Sequence, residues 1–151
     1  MGLPKRFPDR DHVAAVRAAI AANPAFRHDT SALSDEQLAQ RLGLPTPSPE
    51  GWLLPDTYYF ANGGSEFDVL LRAQRAMQAQ LDALWKQRSA RLPYASPYEA
   101  LILASLIEKE TGQANERALV AAVFTNRLKL GMKLQTDPSI IYGLGASFDG
   151  N

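Results

Sequence analysis

The sequence contains no cysteine and only two histidines, His12 and His28, both near its N-terminus. The absence of cysteine excludes thiol nucleophiles and disulfide bonds, and no glycine-rich phosphate-binding loop is present. Lysine plus arginine equals aspartate plus glutamate at 16 each, so charge gives no argument for nucleic acid as a partner. The leading enzymatic option is acid–base chemistry by a carboxyl group, without a metal or other cofactor.

Long apolar runs are also missing. Charged residues or prolines interrupt each run within a few residues, far short of the roughly 20 that a membrane-spanning helix requires. With 151 residues, of which 46% are hydrophobic, the chain can still bury a core. Its C-terminal residues are rich in glycine and give no structural closure, which indicates a fragment of something longer.

Capping residues and helical periodicity predict three helices in the second half of the chain. The predicted caps at their starts are Ser65, Ser96 and Asn115. Glycine ends a helix readily because it adopts left-handed backbone angles. The second and third helices are accordingly predicted to end at Gly112 and Gly131.

Two shorter helices are predicted in the N-terminal part. The first has apolar residues at helical spacing over residues 13–20, and the second follows a capping box that begins at Ser34. The proline-rich residues 45–49 then restrict the backbone and indicate a boundary. We therefore expect a helical segment over residues 1–45 and a second domain over residues 50–151.

Short extended segments complete the predicted fold. Residues 51–60 are rich in aromatic and apolar side chains and suit an extended segment interrupted by a turn. Residues 132–136 are predicted to form a short strand, followed by one helical turn that starts at Asp137. The expected fold class is α+β, mainly α in this fragment, with short strands.

The second predicted helix ends in two carboxylates, Glu108 and Glu110. Residues three, four and seven positions apart share a helix face, so Glu110 lies on the side of Leu103, Leu106 and Ile107. Aliphatic neighbours and the helix C-terminus both disfavour a charged carboxylate, which would suit Glu110 as a proton donor. The alternative is a solvated helix end, and spacing alone favours that alternative.

The other polar residues have structural interpretations as well. Glu108 is expected to pair with an arginine, either Arg117 or Arg127. Asp137 suits a helix cap and Gln135 a surface amide. The residues by themselves therefore give only a weak argument for an enzyme.

Five motifs occur in order from residue 50 to the C-terminus. They are Glu50-Gly-Trp-Leu-Leu-Pro-Asp-Thr-Tyr58, Ala104-Ser-Leu-Ile-Glu-Lys-Glu-Thr111, Glu116-Arg117, Val123-Phe-Thr-Asn-Arg-Leu128 and Gly131-Met-Lys-Leu-Gln-Thr-Asp-Pro-Ser-Ile-Ile-Tyr-Gly143. Together they resemble the YceG-like, or MltG, family of endolytic murein transglycosylases. Such a series is far more specific than any single carboxylate.

The resemblance implies a lysozyme-like catalytic region and a lyase reaction on peptidoglycan glycan strands. The bond cleaved joins N-acetylmuramic acid to N-acetylglucosamine, and cleavage is non-hydrolytic. In lytic transglycosylases one glutamic acid protonates the glycosidic oxygen and then, as the carboxylate, takes the proton of the C6 hydroxyl, which leaves a 1,6-anhydro end. A second carboxylate is therefore not needed, unlike in most glycosidases.

The same resemblance assigns Glu110 as the catalytic residue, because Glu110-Thr111 is similar to the Glu-Ser pair of other lytic transglycosylases. Neutral amides and hydroxyls can bind N-acetyl groups and sugar hydroxyls, and aromatic faces can support sugar rings. A capping or packing role is an equal alternative for each such residue. The implied substrate-binding residues are Asn126, Gln135, Thr136, Asp137 and Tyr142.

The resemblance also implies a larger protein. Family members usually start with a cytoplasmic tail and one membrane helix, continue with a LysM-like subdomain, and extend well beyond residue 151. The implied location is the bacterial inner membrane with a periplasmic catalytic domain, and peptidoglycan synthases are expected partners. Residues 1–45 would be a remnant of the LysM-like part, and the missing C-terminal stretch is expected to weaken glycan binding or abolish activity in this fragment.

The sequence leaves two other functions open. A hydrolytic muramidase would leave reducing muramic acid ends instead of anhydro ends. A non-catalytic module of the cell-wall machinery would bind glycan or a protein partner without cleaving anything.

Overall fold

The computed structural model describes residues 12–136, and this part of the chain is mainly helical, as predicted. It divides into two compact units, of which the described parts are residues 12–80 and 81–136. The elements follow in the order α1 His12–Ala21, β1 Phe26–Arg27, α2 Asp35–Leu42, β2 Gly64–Ser65, α3 Glu66–Lys86, α4 Pro97–Glu110 and α5 Arg117–Lys129. The predicted domain boundary at residues 45–49 stays a prediction.

The described helices are all too short or too polar to cross a membrane.

Helices α1, α2 and α3 share the apolar core of the first unit. At its centre Leu38, Leu42 and Leu70 are almost completely buried. Partly buried side chains from both helices and loops pack around them, namely Val16, Ile20, Leu44, Leu53, Phe67 and Leu71. The predicted apolar faces of the two N-terminal helices therefore do point into a core.

The start of α2 shows how closely local sequence can predict a helix. The Ser34 hydroxyl accepts from the Gln37 amide at 3.2 Å, and the Gln37 side chain accepts from the Ser34 amide at 2.9 Å. At the other end Gly43 adopts a left-handed conformation with φ of 73°. Both ends of the predicted helix are confirmed.

The two strands were not predicted at their observed positions. β1 and β2 are two residues each and pair in parallel, with Phe26 opposite Gly64. The Phe26 ring also stacks on Phe60, with centroids 3.7 Å apart. Two residues are too few to show the alternating pattern that marks a strand, so local sequence carries no signal for this pairing.

Conversely, the short strand predicted over residues 132–136 is wrong, and residues 51–60, predicted as an extended segment with a turn, contain no strand. Within residues 51–60, the amide of Leu54 donates to the carbonyl of Ala73 in α3, at 3.2 Å, and not to a neighbouring strand. Residues 132–136 instead fold back towards α5, where the Met132 amide donates to the Arg127 carbonyl at 2.8 Å. The helical turn predicted from Asp137 lies outside the described residues.

A buried carboxylate, Glu66, connects the start of α3 with the segment after β1. Its side chain accepts from both the amide and the hydroxyl of Thr30 at 2.5 Å, and Nδ1 of His28 lies 3.1 Å away. Burial raises the pKa of Glu66, but the hydrogen bonds from Thr30 and His28 outweigh burial, so its net pKa lies below the ordinary glutamate value. The charged carboxylate therefore helps to hold the first unit together.

Neighbouring Asp29 caps α3 from a distant part of the chain. It accepts from the Ser65 hydroxyl at 2.7 Å and from the Phe67 amide at 3.2 Å. The Ser65 hydroxyl in turn accepts from the Asp68 amide, which confirms the predicted start of this helix. Burial raises the pKa of Asp29, yet hydrogen bonds from Ser65, Phe67 and Arg27 lower it more.

Candidate active site

Helix α4 carries the candidate catalytic residue, and it begins as predicted. Ser96 is its N-cap, with an extended backbone, and the Ser96 hydroxyl accepts from the Glu99 amide at 3.2 Å. The Glu99 carboxylate accepts from the amide of Ala95, one residue before the cap. Pro97 occupies the first helical position, where it has no amide bond to lose.

The helix ends two residues before the predicted glycine, Gly112. Glu110 is the last residue of α4, and Thr111 leaves the helix with φ of −138° and ψ of 131°. The Thr111 amide still donates to the Ile107 carbonyl at 3.2 Å. Gly112 follows the cap, so the turn to extended backbone at Thr111 is what stops the helix.

Glu110 is exposed, as expected for the solvated helix end that spacing alone favours. On the same face Leu103 is buried, while Leu106 and Ile107 are half-buried. The side chains on this face are thus less buried towards the C-terminal end of the helix, because the last residue lies beyond the packed turns. The Glu110 carboxylate is therefore accessible to a substrate.

Glu108 has the structural role predicted for it. Its carboxylate forms an ion pair with Arg117, with an N···O distance of 2.8 Å. The Glu108 side chain is 61% exposed and that of Arg117 45%, and ion pairs at such sites contribute about 0–1 kcal/mol. The pair distinguishes the two glutamates, since Glu108 has a partner on α5.

Helix α5 contacts α4 and differs from its predicted form at its start. Glu116 is the N-cap, with helical backbone angles and no side-chain capping bond, so the predicted Asn115 cap is wrong. At the other end Gly131 has φ of 66°, which confirms the predicted stop. Each helix buries one large apolar residue, Leu103 on α4 and Phe124 on α5.

The segment after α5 contains an unusual backbone conformation. Gln135 has φ of 52°, a left-handed value that costs about 1–2 kcal/mol for a residue with a side chain. Immediately before it, the Leu134 carbonyl accepts a hydrogen bond from the Arg127 guanidinium. This bond holds residues 132–134 against α5 and thereby presents the exposed Gln135 side chain.

The described part of the second unit contains four of the six predicted site residues. Glu110, Asn126 and Gln135 are exposed, whereas Thr136 is 3% exposed. Glu110 lies on α4 and Asn126 on α5, and these two helices contact each other. Arg127 of α5 donates to the Leu134 carbonyl and so connects α5 to the segment that contains Gln135. The two remaining predicted residues, Asp137 and Tyr142, lie outside the described residues. Substrate binding stays a prediction for Asn126, Gln135, Thr136, Asp137 and Tyr142.

Residues 12–136 contain no cluster of three or more histidine and carboxylate side chains suited to a metal ion. Sequence reasoning missed two contacts that shape the region. The Thr111 hydroxyl donates to the Glu116 carboxylate at 2.7 Å, and Arg127 binds the Leu134 carbonyl. Glu116 and Arg127 do occur in the motifs, but spacing along the chain does not reveal their partners, because each bond crosses the end of a helix.

Comparison with known proteins identifies the family. The model of the YceG-like family matches residues 5–151. The chain belongs to the YceG-like family. The resemblance inferred from the five motifs is therefore confirmed.

Two curated relatives show the level of similarity. The chain is 34% identical over 100 residues to an endolytic murein transglycosylase of Bacillus subtilis (strain 168), a match that covers 66% of the chain and 28% of that relative. It is 32% identical over 96 residues to an endolytic murein transglycosylase of Streptococcus pneumoniae serotype 2 (strain D39), covering 64% of the chain and 17% of that relative. The matches thus span less than a third of each curated relative.

Proposed function

We propose that this YceG-like chain belongs to the catalytic region of an endolytic peptidoglycan lytic transglycosylase. The proposed substrate is a nascent glycan strand, cleaved between N-acetylmuramic acid and N-acetylglucosamine. The observation that carries the proposal is the exposed Glu110 at the end of α4, within a family motif in which Glu108 is already paired with Arg117. The names of the curated relatives support the same activity.

In the proposed reaction Glu110 acts twice. As the acid it protonates the glycosidic oxygen, and the bond from that oxygen to C1 of the muramoyl residue breaks. As the carboxylate it then takes the proton of the C6 hydroxyl, whose oxygen bonds to C1 and closes the 1,6-anhydro ring. The proton returns to Glu110 and no water is consumed.

The exposed amides are the proposed substrate contacts in the described residues. Asn126 and Gln135 each offer both donors and an acceptor, which suits N-acetyl groups and sugar hydroxyls. Burial of Thr136 favours a packing role over a direct sugar contact. Asp137 and Tyr142 are proposed to complete the cleft.

We also propose the cellular setting implied by the family. Residues 1–45 would belong to a LysM-like part and residues 50–151 to the catalytic domain. The full-length protein would be anchored in the inner membrane with this domain in the periplasm, where peptidoglycan synthases supply the strands.

The test uses the full-length protein that contains this chain and uncrosslinked glycan strands. Products with 1,6-anhydromuramoyl ends are expected by mass spectrometry. Glu110→Gln should lower the rate by about 10²–10⁴-fold, the usual contribution of a general acid–base group. Glu108→Gln is the matched control in the same motif and should cleave at nearly the normal rate.

The products also distinguish the alternatives. Reducing muramic acid ends would instead identify a hydrolytic muramidase. Glycan binding without cleavage by the unmodified protein would identify a binding module. Cleavage by the Glu110→Gln variant at the normal rate would show that another residue is the acid.

A further inference from the structure

The turn that follows Glu110 is held by one buried hydroxyl. Thr111 is 7% exposed, and its hydroxyl donates to the Glu116 carboxylate at 2.7 Å. The same hydroxyl accepts from the amide of Gln113 at 3.1 Å. Thr111 thus uses its side chain as both donor and acceptor while its amide bonds back to α4.

Glu116 anchors the other side of this turn. Its amide donates to the Gln113 carbonyl at 3.1 Å, and its carbonyl accepts from Val120 in the first turn of α5, at 3.0 Å. The bond between Thr111 and Glu116 therefore joins the C-cap residue of α4 to the N-cap residue of α5. Since Glu110 directly precedes Thr111, the bond also restricts the backbone of Glu110.

This bond differs from the other connection across the turn in burial, because its donor, Thr111, is buried. A hydroxyl that donates to a charged carboxylate forms a short bond, roughly twice as strong as a neutral one. The nearby pair of Glu108 and Arg117 lies at an exposed site, where solvent weakens attraction between charges. The relative placement of Glu110 should consequently depend on Thr111 and Glu116 far more than on the surface ion pair.

We propose that Thr111 and Glu116 are positioning residues for the catalytic carboxylate of Glu110. The inference rests on the proposed function, in which Glu110 must reach the glycosidic oxygen and then the C6 hydroxyl. A displacement of about 1 Å at a reacting group can cost about 10²-fold in rate. Glu116 acts through its hydrogen bond and not through its charge on the substrate.

Conservative and disruptive substitutions separate this role from a chemical one. Thr111→Ser keeps the hydroxyl, and Glu116→Gln keeps an oxygen acceptor for it. Thr111→Val and Glu116→Ala remove the bond from either side. Glu116 is exposed, so its variants should fold even where a change at buried Thr111 does not.

The experiment measures kcat and KM for release of anhydro ends by the full-length protein, with glycan strands as substrate. Thr111→Val and Glu116→Ala should lower kcat by about 10- to 100-fold, with KM changed by less than about threefold because the glycan contacts remain. Thr111→Ser and Glu116→Gln should retain most of the activity and the normal pH profile. The double variant Thr111→Val with Glu116→Ala should lose little more activity than either single variant, because both substitutions remove the same hydrogen bond.

Each other outcome identifies what is wrong. Normal kcat in Glu116→Ala would overturn the positioning role. Equal loss in Glu116→Gln and Glu116→Ala, with a displaced pH profile, would overturn it too, because Glu116 would then act through its charge. Glu110→Gln is measured in parallel: its full activity would refute the proposed function, whereas its inactivity beside normal Thr111 and Glu116 variants would refute only the positioning role.

Discussion

The backbone of Gln135 has an unfavourable left-handed conformation, while its side chain is exposed. Residues other than glycine and asparagine rarely adopt a φ of 52°, because their Cβ atom approaches the following carbonyl oxygen. The Arg127 bond to the Leu134 carbonyl stabilises the segment in this conformation. Strained residues of this kind are often found where a side chain must be presented in a defined direction.

Replacing Gln135 with glycine should therefore leave stability nearly unchanged. Glycine relieves the left-handed strain of about 1–2 kcal/mol but adds freedom to the unfolded chain, which costs about 0.5–1 kcal/mol, so the two effects largely cancel. We expect Gln135→Gly to change the free energy of unfolding by less than about 1 kcal/mol, measured by chemical denaturation. Gln135→Val, with a branched Cβ at the same φ, should be clearly less stable, and equal stability of the two variants would contradict the strain.

At the scale of single elements, α4 follows its local signals more closely than the other helices near the site. Its N-cap, Ser96, accepts from the Glu99 amide three residues later, and Pro97 directly follows the cap. Asn115 shows the limit of such reasoning, because α5 begins after Glu116 instead. The carboxylate of Glu116 accepts from the Thr111 hydroxyl instead, and α5 begins without a side-chain cap.

The cap of α4 gives a prediction with a control in the same helix. Ser96→Ala leaves the Glu99 amide without its acceptor and should lower the free energy of unfolding by about 1 kcal/mol. Ser105 is exposed in the middle of α4 and donates only to the carbonyl of Ile102. Ser105→Ala should be neutral or slightly stabilising, since alanine is the better helix former. Thermal denaturation followed by circular dichroism compares the two; equal effects would argue against capping.

At the scale of the whole molecule, the charged groups of the first unit connect segments far apart in sequence. Glu66 and Thr30 are 36 residues apart, as are Asp29 and Ser65. Charged residues from several elements surround them: Arg17 of α1 donates to the Thr30 carbonyl, and Arg41 of α2 to that of Asp29. These bonds hold β1 and the following loop against the start of α3.

The lowered pKa of Glu66 predicts how stability responds to acid. Because the folded state holds this pKa below the ordinary value of 4.5, the charged carboxylate stabilises the fold above that pH. The contribution is lost as the pH falls through the lower folded pKa. Near pH 7, Glu66→Gln should reduce the free energy of unfolding by about 1.5–3 kcal/mol, the usual range for a hydrogen bond to a charged group.

Urea denaturation at several pH values provides the measurement. The difference in stability between the original protein and Glu66→Gln should be present at pH 7 and should shrink below about pH 4.5. Asp29 also has a lowered pKa, but it is present in both proteins, so the comparison isolates Glu66. Glu36→Gln, at an exposed position in the first turn of α2, is the control. A difference independent of pH would show that the charge of Glu66 does not matter.

The sequence by itself determined the features that depend on near neighbours. These include the ends of α2, the N-cap of α4, and the ordered motifs of the YceG-like family. Helix caps involve residues within about one turn of each other, so their spacing carries the information. For Glu108 the sequence predicted an arginine partner, and the structure selected Arg117 over Arg127.

Only the tertiary structure decided the pairing of β1 with β2, the burial of Glu66, the exposure of Glu110 and the bond between Thr111 and Glu116. Burial depends on which distant side chains cover a residue, and helical phase describes only the direction in which it points. For that reason phase placed Glu110 on the same face as Leu103, but it left open whether a carboxylate two turns after that leucine is covered or exposed.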